Sequence, residues 1–223
     1  MISFDNVAYS YGGGKLLSDI SLSLQPGSFH FLTGPSGAGK STFLKLCYGE
    51  LLATEGTVKV LSRDLQGVSR DALARIRRRI GVMQQDCQFL DHLSVASNVT
   101  LPLSVTGREV PVQDLSDLLH WVGMARLARA YPPQLSGGER QRTALARAVI
   151  GSPDILLADE PTGNLDWEMS LRLLTLLVEL NRMGTTILIA THDLNLIRSA
   201  KAQLAARVLR IRGGTIELAG AEL

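Results

Sequence analysis

The sequence predicts an α/β fold: a mainly parallel sheet, an antiparallel β part near the N-terminus, and a helical insertion before the second half of the sheet. Short apolar runs bounded by turn or charged residues, FHFLTG, DILLADE and TTILIATHD, read as strands buried on both faces. Each is followed by helical spacing, in KSTFLKLCYGEL, WEMSLRLLTLLVELNRMG and DLNLIRSA. Strand and helix in alternation give a parallel α/β sheet.

Taken in order, DISLSLQPGSF alternates at Ile20, Leu22 and Leu24 and stops at the Pro26-Gly27 turn, which predicts a half-exposed strand in an antiparallel pairing. Between Gln85 and about Val149 the strand signals vanish and amphipathic stretches such as VQDLSDLLHWVGM take over. A helical subdomain at about 86–150 is therefore expected inside one domain, 1–223, whose core is about 1–85 and 151–223. RIRGGTIEL predicts a hairpin turning at Gly213-Gly214.

With 45% hydrophobic and 20% charged residues, the 223-residue chain has the composition of a globular domain with a sizeable core. A net charge of +2 gives no electrostatic case for nucleic acid. Cys47 and Cys87 have no CxxC spacing, so neither zinc nor a disulfide framework is expected and a reducing cytosol is the natural compartment. The opening MISFDNVAYS lacks the pattern of a secretory signal. No apolar run approaches the roughly 18 residues of a membrane span, so work at a membrane would need another chain as anchor.

Gly34, Gly39, Lys40 and Ser41 match GxxxxGK[ST] between an apolar run and a helical one, the context in which that spacing cradles phosphate. Gly34, Pro35, Ser36, Gly37, Ala38, Gly39, Lys40, Ser41 and Thr42 form the candidate cradle, with the backbone N–H groups of all but Pro35 available to phosphate. Lys40 would reach the outer phosphates and the Ser41 hydroxyl a Mg²⁺ ion. In ILLADEP two carboxylates end an apolar strand: Asp159 would hold Mg²⁺ through water and Glu160 would act as general base. Alone such a pair is a solvated acidic turn; beside a phosphate cradle it is a hydrolytic site. LIATHD brings His192 to the same sheet edge, although a single histidine is more often structural. LSGGERQRTALARAVI then supplies a second helix N-terminus suited to an anion.

With LSGGE, the chain resembles the ATP-binding cassette (ABC) ATPases over its whole length, with the motifs in the family's order. The resemblance implies a P-loop NTPase core, ATP and Mg²⁺, and a homodimer formed on ATP binding. In it Ser136, Gly137, Gly138 and Glu139 of one copy, with Asp166 of GNLD, would close over the ATP of the other. It also implies Gln85 as the Q-loop glutamine that senses Mg²⁺ and the attacking water, His192 as the switch histidine, and Tyr11 as the residue stacked on adenine, with Tyr9 as its competitor. Arg140 and Gln84 depart from the usual pattern, where glutamine and an aromatic are frequent.

LLADEPTGNLD in a short, insert-free chain is similar to the branch holding lipoprotein-release (LolD-like), macrolide-export (MacB-like) and cell-division ATPases. FHFLTGPSGAGKSTFLKLCYGE and ILIATHDLNLIRSAKA lean to the cell-division members. That implies an FtsX-like integral membrane protein as partner, control of peptidoglycan hydrolysis, and a peripheral place on the cytoplasmic face of the bacterial inner membrane. The implied contact is around Asp86 to Leu103. Ordinary core packing by Phe89, Leu90 and Leu93 is the competing account. Arg75, Arg77, Arg78 and Arg79 could meet acidic lipid, but a solvated helix face is the commoner meaning of such a run. The rivals of other classes are a nucleic-acid-associated cassette, which would carry long coiled-coil insertions or two cassettes, and a regulatory binder with little turnover.

Overall fold

The structure, a computed structural model, describes residues 1–219. In chain order its elements begin with β1 (Ile2–Ser10), β2 (Lys15–Leu24), β3 (Phe29–Thr33), α1 (Lys40–Cys47), β4 (Glu55–Val60) and β5 (Arg63–Asp64). Next come α2 (Arg70–Arg77), β6 (Ile80–Met83), α3 (Val95–Ser104), α4 (Val112–Trp121) and α5 (Gly137–Val149). The chain then runs through β7 (Ile155–Asp159), α6 (Trp167–Arg182), β8 (Thr186–Ala190), α7 (Leu194–Lys201), β9 (Ala206–Arg212) and β10 (Thr215–Leu218).

Two sheets result. The smaller has the order β2-β1-β4-β5 and is antiparallel, with Ile2 opposite Leu24 and Ser3 opposite Lys59. The larger has the order β10-β9-β3-β8-β7-β6, parallel except for β10. The β9–β10 hairpin turns at Gly213 and Gly214, at φ 58° and 84°. Both angles lie in the left-handed region that a two-residue turn of this hand requires. Through that turn the sheets touch: the Ser18 N–H donates to the Gly214 carbonyl at 2.9 Å.

Side chains of the large sheet alternate between two cores. Leu156, Ala158, Ile187 and Ile189 pack under α5, α6 and α7, while Ile155, Leu157, Leu188 and Ala190 face α1 and the small sheet. All eight are buried, which is why these strands read as continuous apolar runs. Helix α1, with Phe43, Leu46 and Cys47 fully buried, is the filling between the sheets. At about 1.5–3 kcal/mol for each large side chain buried, this layer holds the helix firmly.

Segment 86–150 contains α3, α4 and α5 and no strand. It has no core of its own: Val95, Val99, Leu119, Val122 and Met124 join the cluster beneath α5 and α6. Strand β6 presses against α5 so closely that a Cβ on Gly81 would stand 2.1 Å from the Ala148 carbonyl oxygen. No helix among the described residues is long and apolar enough to cross a membrane.

Candidate active site

The P-loop bends out of β3 and into α1 because Gly39, at φ 100°, takes a left-handed conformation costly for any residue with a side chain. The Lys40 ammonium folds back and donates to the Gly34 carbonyl at 2.9 Å and the Pro35 carbonyl at 3.2 Å, which fixes the curl of the loop. Residues 34–37 and 39–42 line a cleft of about 730 Å³, joined by Gln85, Asp159, Glu160 and His192. Ala38 lies within the loop with its side chain against the core. The ends of four parallel strands, β3, β6, β7 and β8, thus meet where the sequence expects phosphate.

Asp159 ends β7 and is only 8% exposed. Burial pushes its carboxyl up and the Glu160 charge adds to that push, while the Ser41 hydroxyl and the Lys40 and Lys45 ammonium groups pull it down. Hydroxyl and carboxylate are hard oxygen donors suited to Mg²⁺. No cluster of three or more His, Cys, Asp or Glu stands ready for a metal among the described residues. Such an ion would therefore depend on phosphate oxygens as well.

Glu160 follows at φ 47°, a strained conformation for a residue with a side chain. Its N–H donates to the Ala190 carbonyl at 2.8 Å. Its carboxylate accepts from the Thr191 hydroxyl at 3.2 Å on one oxygen, and the other lies 2.9 Å from His192 Nδ1. His192 is held at the base on an otherwise exposed side chain.

Tyr11 is 64% exposed, with its hydroxyl 3.2 Å from Thr42 Oγ1, whereas Tyr9 is buried at 8% and meets Tyr11 edge-on. Of the two, only Tyr11 offers an open ring face. The signature residues stand apart from the cleft lining. Ser136 caps α5: its hydroxyl accepts from the Glu139 N–H at 3.4 Å, and the Glu139 carboxylate accepts from the Ser136 N–H at 2.8 Å. The Ser136 N–H, and the Ser136 hydroxyl that also donates to this carboxylate at 2.8 Å, hold the Glu139 carboxyl below its usual range. Asp166 caps α6, accepting from the Met169 N–H at 2.8 Å. Gly137 and Gly138 pack on Asn164.

The cleft also contains Gly163 and Asn164 of GNLD, and two groups that motif reading passed over, Gln141 and Leu16. Gln141 carried a signal, since it shares the helical register of buried Ala144, Leu145 and Ala148 yet is polar. The two departures have partners too. Gln84 donates to the Tyr48 hydroxyl at 3.1 Å, and Arg140 stacks on Phe89 with its guanidinium carbon 5.3 Å from the ring centre, Arg147 doing so at 4.7 Å. Phe89 and Leu93 are half-buried, but Leu90 is 42% exposed and no core residue. In the basic run, Arg77 donates to the Tyr48 and Gly49 carbonyls and Arg79 pairs with Asp154 at 2.6 Å, so that half of it is structural rather than a solvated face. A second groove, of about 700 Å³, is lined by Arg77, Arg78, Arg108 and Arg147 and by no carboxylate.

The ABC transporter family profile matches residues 17–163, and the chain belongs to that family, as one of its ATP-binding and ATP-hydrolysing cassettes. A solved structure, the dimeric post-hydrolysis state of the ATP-binding cassette MJ0796 bound to ADP and Pi, superimposes with a TM-score of 0.88 at 33% identity over 97% of both chains. Among curated proteins, the cell division ATP-binding protein FtsE of Bacillus subtilis (strain 168) is 40% identical over 219 residues, 97% of this chain and 94% of that one. FtsE of Escherichia coli (strain K12) is 44% identical over 200 residues, 88% and 90% of the two chains.

Proposed function

We propose that the chain is the ATPase of a bacterial cell-division complex, peripheral to the inner membrane on its cytoplasmic face. It closes head-to-tail with a second copy on ATP and drives an FtsX-like integral membrane protein that controls peptidoglycan hydrolysis. The observation that carries the reading is the likeness to FtsE proteins over nearly the full length, with Lys40, Asp159, Glu160 and His192 gathered in one cleft.

In this reading the P-loop N–H groups, the α1 N-terminus and Lys40 hold the phosphates. Ser41 and Asp159 would hold Mg²⁺, with Gln85 beside it; the ion would neutralise charge on the outer phosphates. Glu160 takes the proton of the water that attacks the terminal phosphorus as the bond to the ADP oxygen breaks, and His192 keeps the carboxylate aimed. Tyr11 stacks on the base. Ser136, Gly137 and Gly138 of the second copy, with its Asp166, complete the enclosure. Capping of α5 supports Glu139 in a scaffold role rather than a direct one. The exposed Gln85–Asp86 turn and the arginine-lined groove support contact with the membrane partner there.

The test is recovery of the Glu160→Gln protein with ATP from native membranes, followed by mass spectrometry of what accompanies it. A four-span, FtsX-like protein is expected. Lipoprotein-release or export subunits, or nucleic acid without a membrane protein, overturn the assignment.

A further inference from the structure

We infer that Gln141 is a positioning residue that locks the signature turn to the backbone of Glu160, so that contact made by the one is felt by the other. Gln141 is 2% exposed in α5, and both ends of its amide are engaged. Nε2 donates to the Glu160 carbonyl at 2.7 Å, and Oε1 accepts from the Asn164 N–H at 3.0 Å. These partners are the two ends of one tight turn, which the Gly163 N–H closes onto the same Glu160 carbonyl at 3.2 Å.

Few side chains fit that position. A carboxylate would oppose the Glu160 carbonyl, and an apolar group would take the partner from the Asn164 N–H and leave the Glu160 carbonyl with the Gly163 N–H alone. Glu160 itself sits at a strained φ of 47°, a conformation that persists only where its surroundings hold it. A second contact runs alongside: a Cβ on Gly138 would lie 3.1 Å from the Asn164 carbonyl oxygen, so the signature backbone rests on the same turn. Signature turn, Asn164 turn and Glu160 therefore move together.

The consequence for coupling rests on the head-to-tail reading above. In that arrangement Ser136 faces the nucleotide of the second copy while Glu160 serves its own, and the amide of Gln141 is the short mechanical path between them. Occupancy of one site then sets the base of the other.

Gln141→Met keeps the length and removes both hydrogen bonds. ATP affinity by calorimetry should stay within about twofold, and single-turnover hydrolysis at saturating ATP should fall at least tenfold, within the roughly 10²–10⁴ of a general base. The Hill coefficient should drop towards one, and ATP-driven dimerisation in a Glu160→Gln background should persist. Unchanged turnover or unchanged cooperativity overturns the inference, as does loss of dimerisation in step with turnover. Gln141→Glu guards against a variant that fails to fold. Its carboxyl, once protonated, regains a donor towards the Glu160 carbonyl, so its turnover relative to the parent should rise as pH falls from about 8 to about 6. A flat ratio overturns the placement of Glu160. Should the parent stay monomeric with ATP, the head-to-tail reading falls and the coupling with it, while the pH ratio still decides the positioning.

Discussion

At the scale of single residues, buried charge sets what is testable. Burial raises the Asp159 carboxyl, so its contribution to stability is present at low pH and lost as pH rises through the raised value; at neutral pH its charge is a cost. Asp159→Asn should therefore stabilise the nucleotide-free protein and raise its Tm, while abolishing the further rise given by Mg²⁺ with ATP. Calorimetric scans with and without Mg-ATP check both signs. His30 on β3 is the opposite case. Burial and the Arg207 charge hold its imidazole down to about 4 from 6.5, and Nδ1 finds no partner among the described residues. The unfolded chain takes the proton first, so stability present above about pH 6.5 drains away towards pH 4, by up to about 3 kcal/mol. His30→Leu should flatten that slope in urea titrations. The phosphate cradle and Glu160 were legible because phosphate chemistry demands a fixed spacing of residue types. Gln141 was not, because its role depends on backbone groups of another segment, which leave no mark in its own neighbourhood.

Among the elements, the contact between β6 and α5 is the least tolerant. Gly81→Ala would drive a methyl into the Ala148 carbonyl, and should cost at least about 2–3 kcal/mol in denaturant midpoint with an unchanged m value. At the head of α5 the capping box gives Ser136 a structural duty beside its proposed one. Ser136→Ala should lower stability by about 1 kcal/mol and leave nucleotide affinity intact. The long helices and the strands of the parallel core were readable from period and length: WEMSLRLLTLLVELNRMG becomes α6 within two residues at its end. Strands β4, β5 and β6 escaped, being six, two and four residues long and interrupted by glycine or charge. Strand β1 escaped as well, since left-handed Asn6 and three register shifts against β2 break its alternation.

For the whole molecule, the prediction concerns association. Glu160→Gln should run as a dimer in ATP by light scattering, and Ser136→Arg added to it should run as a monomer that still binds ATP; a dimer in both removes the signature from the interface. In the sequence that arrangement was carried by the resemblance of LSGGE to the ABC ATPases; the second helix start by itself raised only the question of another anion site. The two-layer core, by contrast, emerged only in three dimensions, and it distributes the cysteines with some economy. Cys47 lies fully buried in the layer between the sheets, its thiol pushed up by burial, and Cys87 lies in the layer under α5, its thiol against the Gln84 carbonyl at 3.6 Å. Each core layer thus holds its own chemical clock. The rate at which a thiol reagent marks Cys47 times the parting of the sheets, and the rate at Cys87 times the release of the Gln85 turn, so one labelling experiment reads two different openings of the same chain.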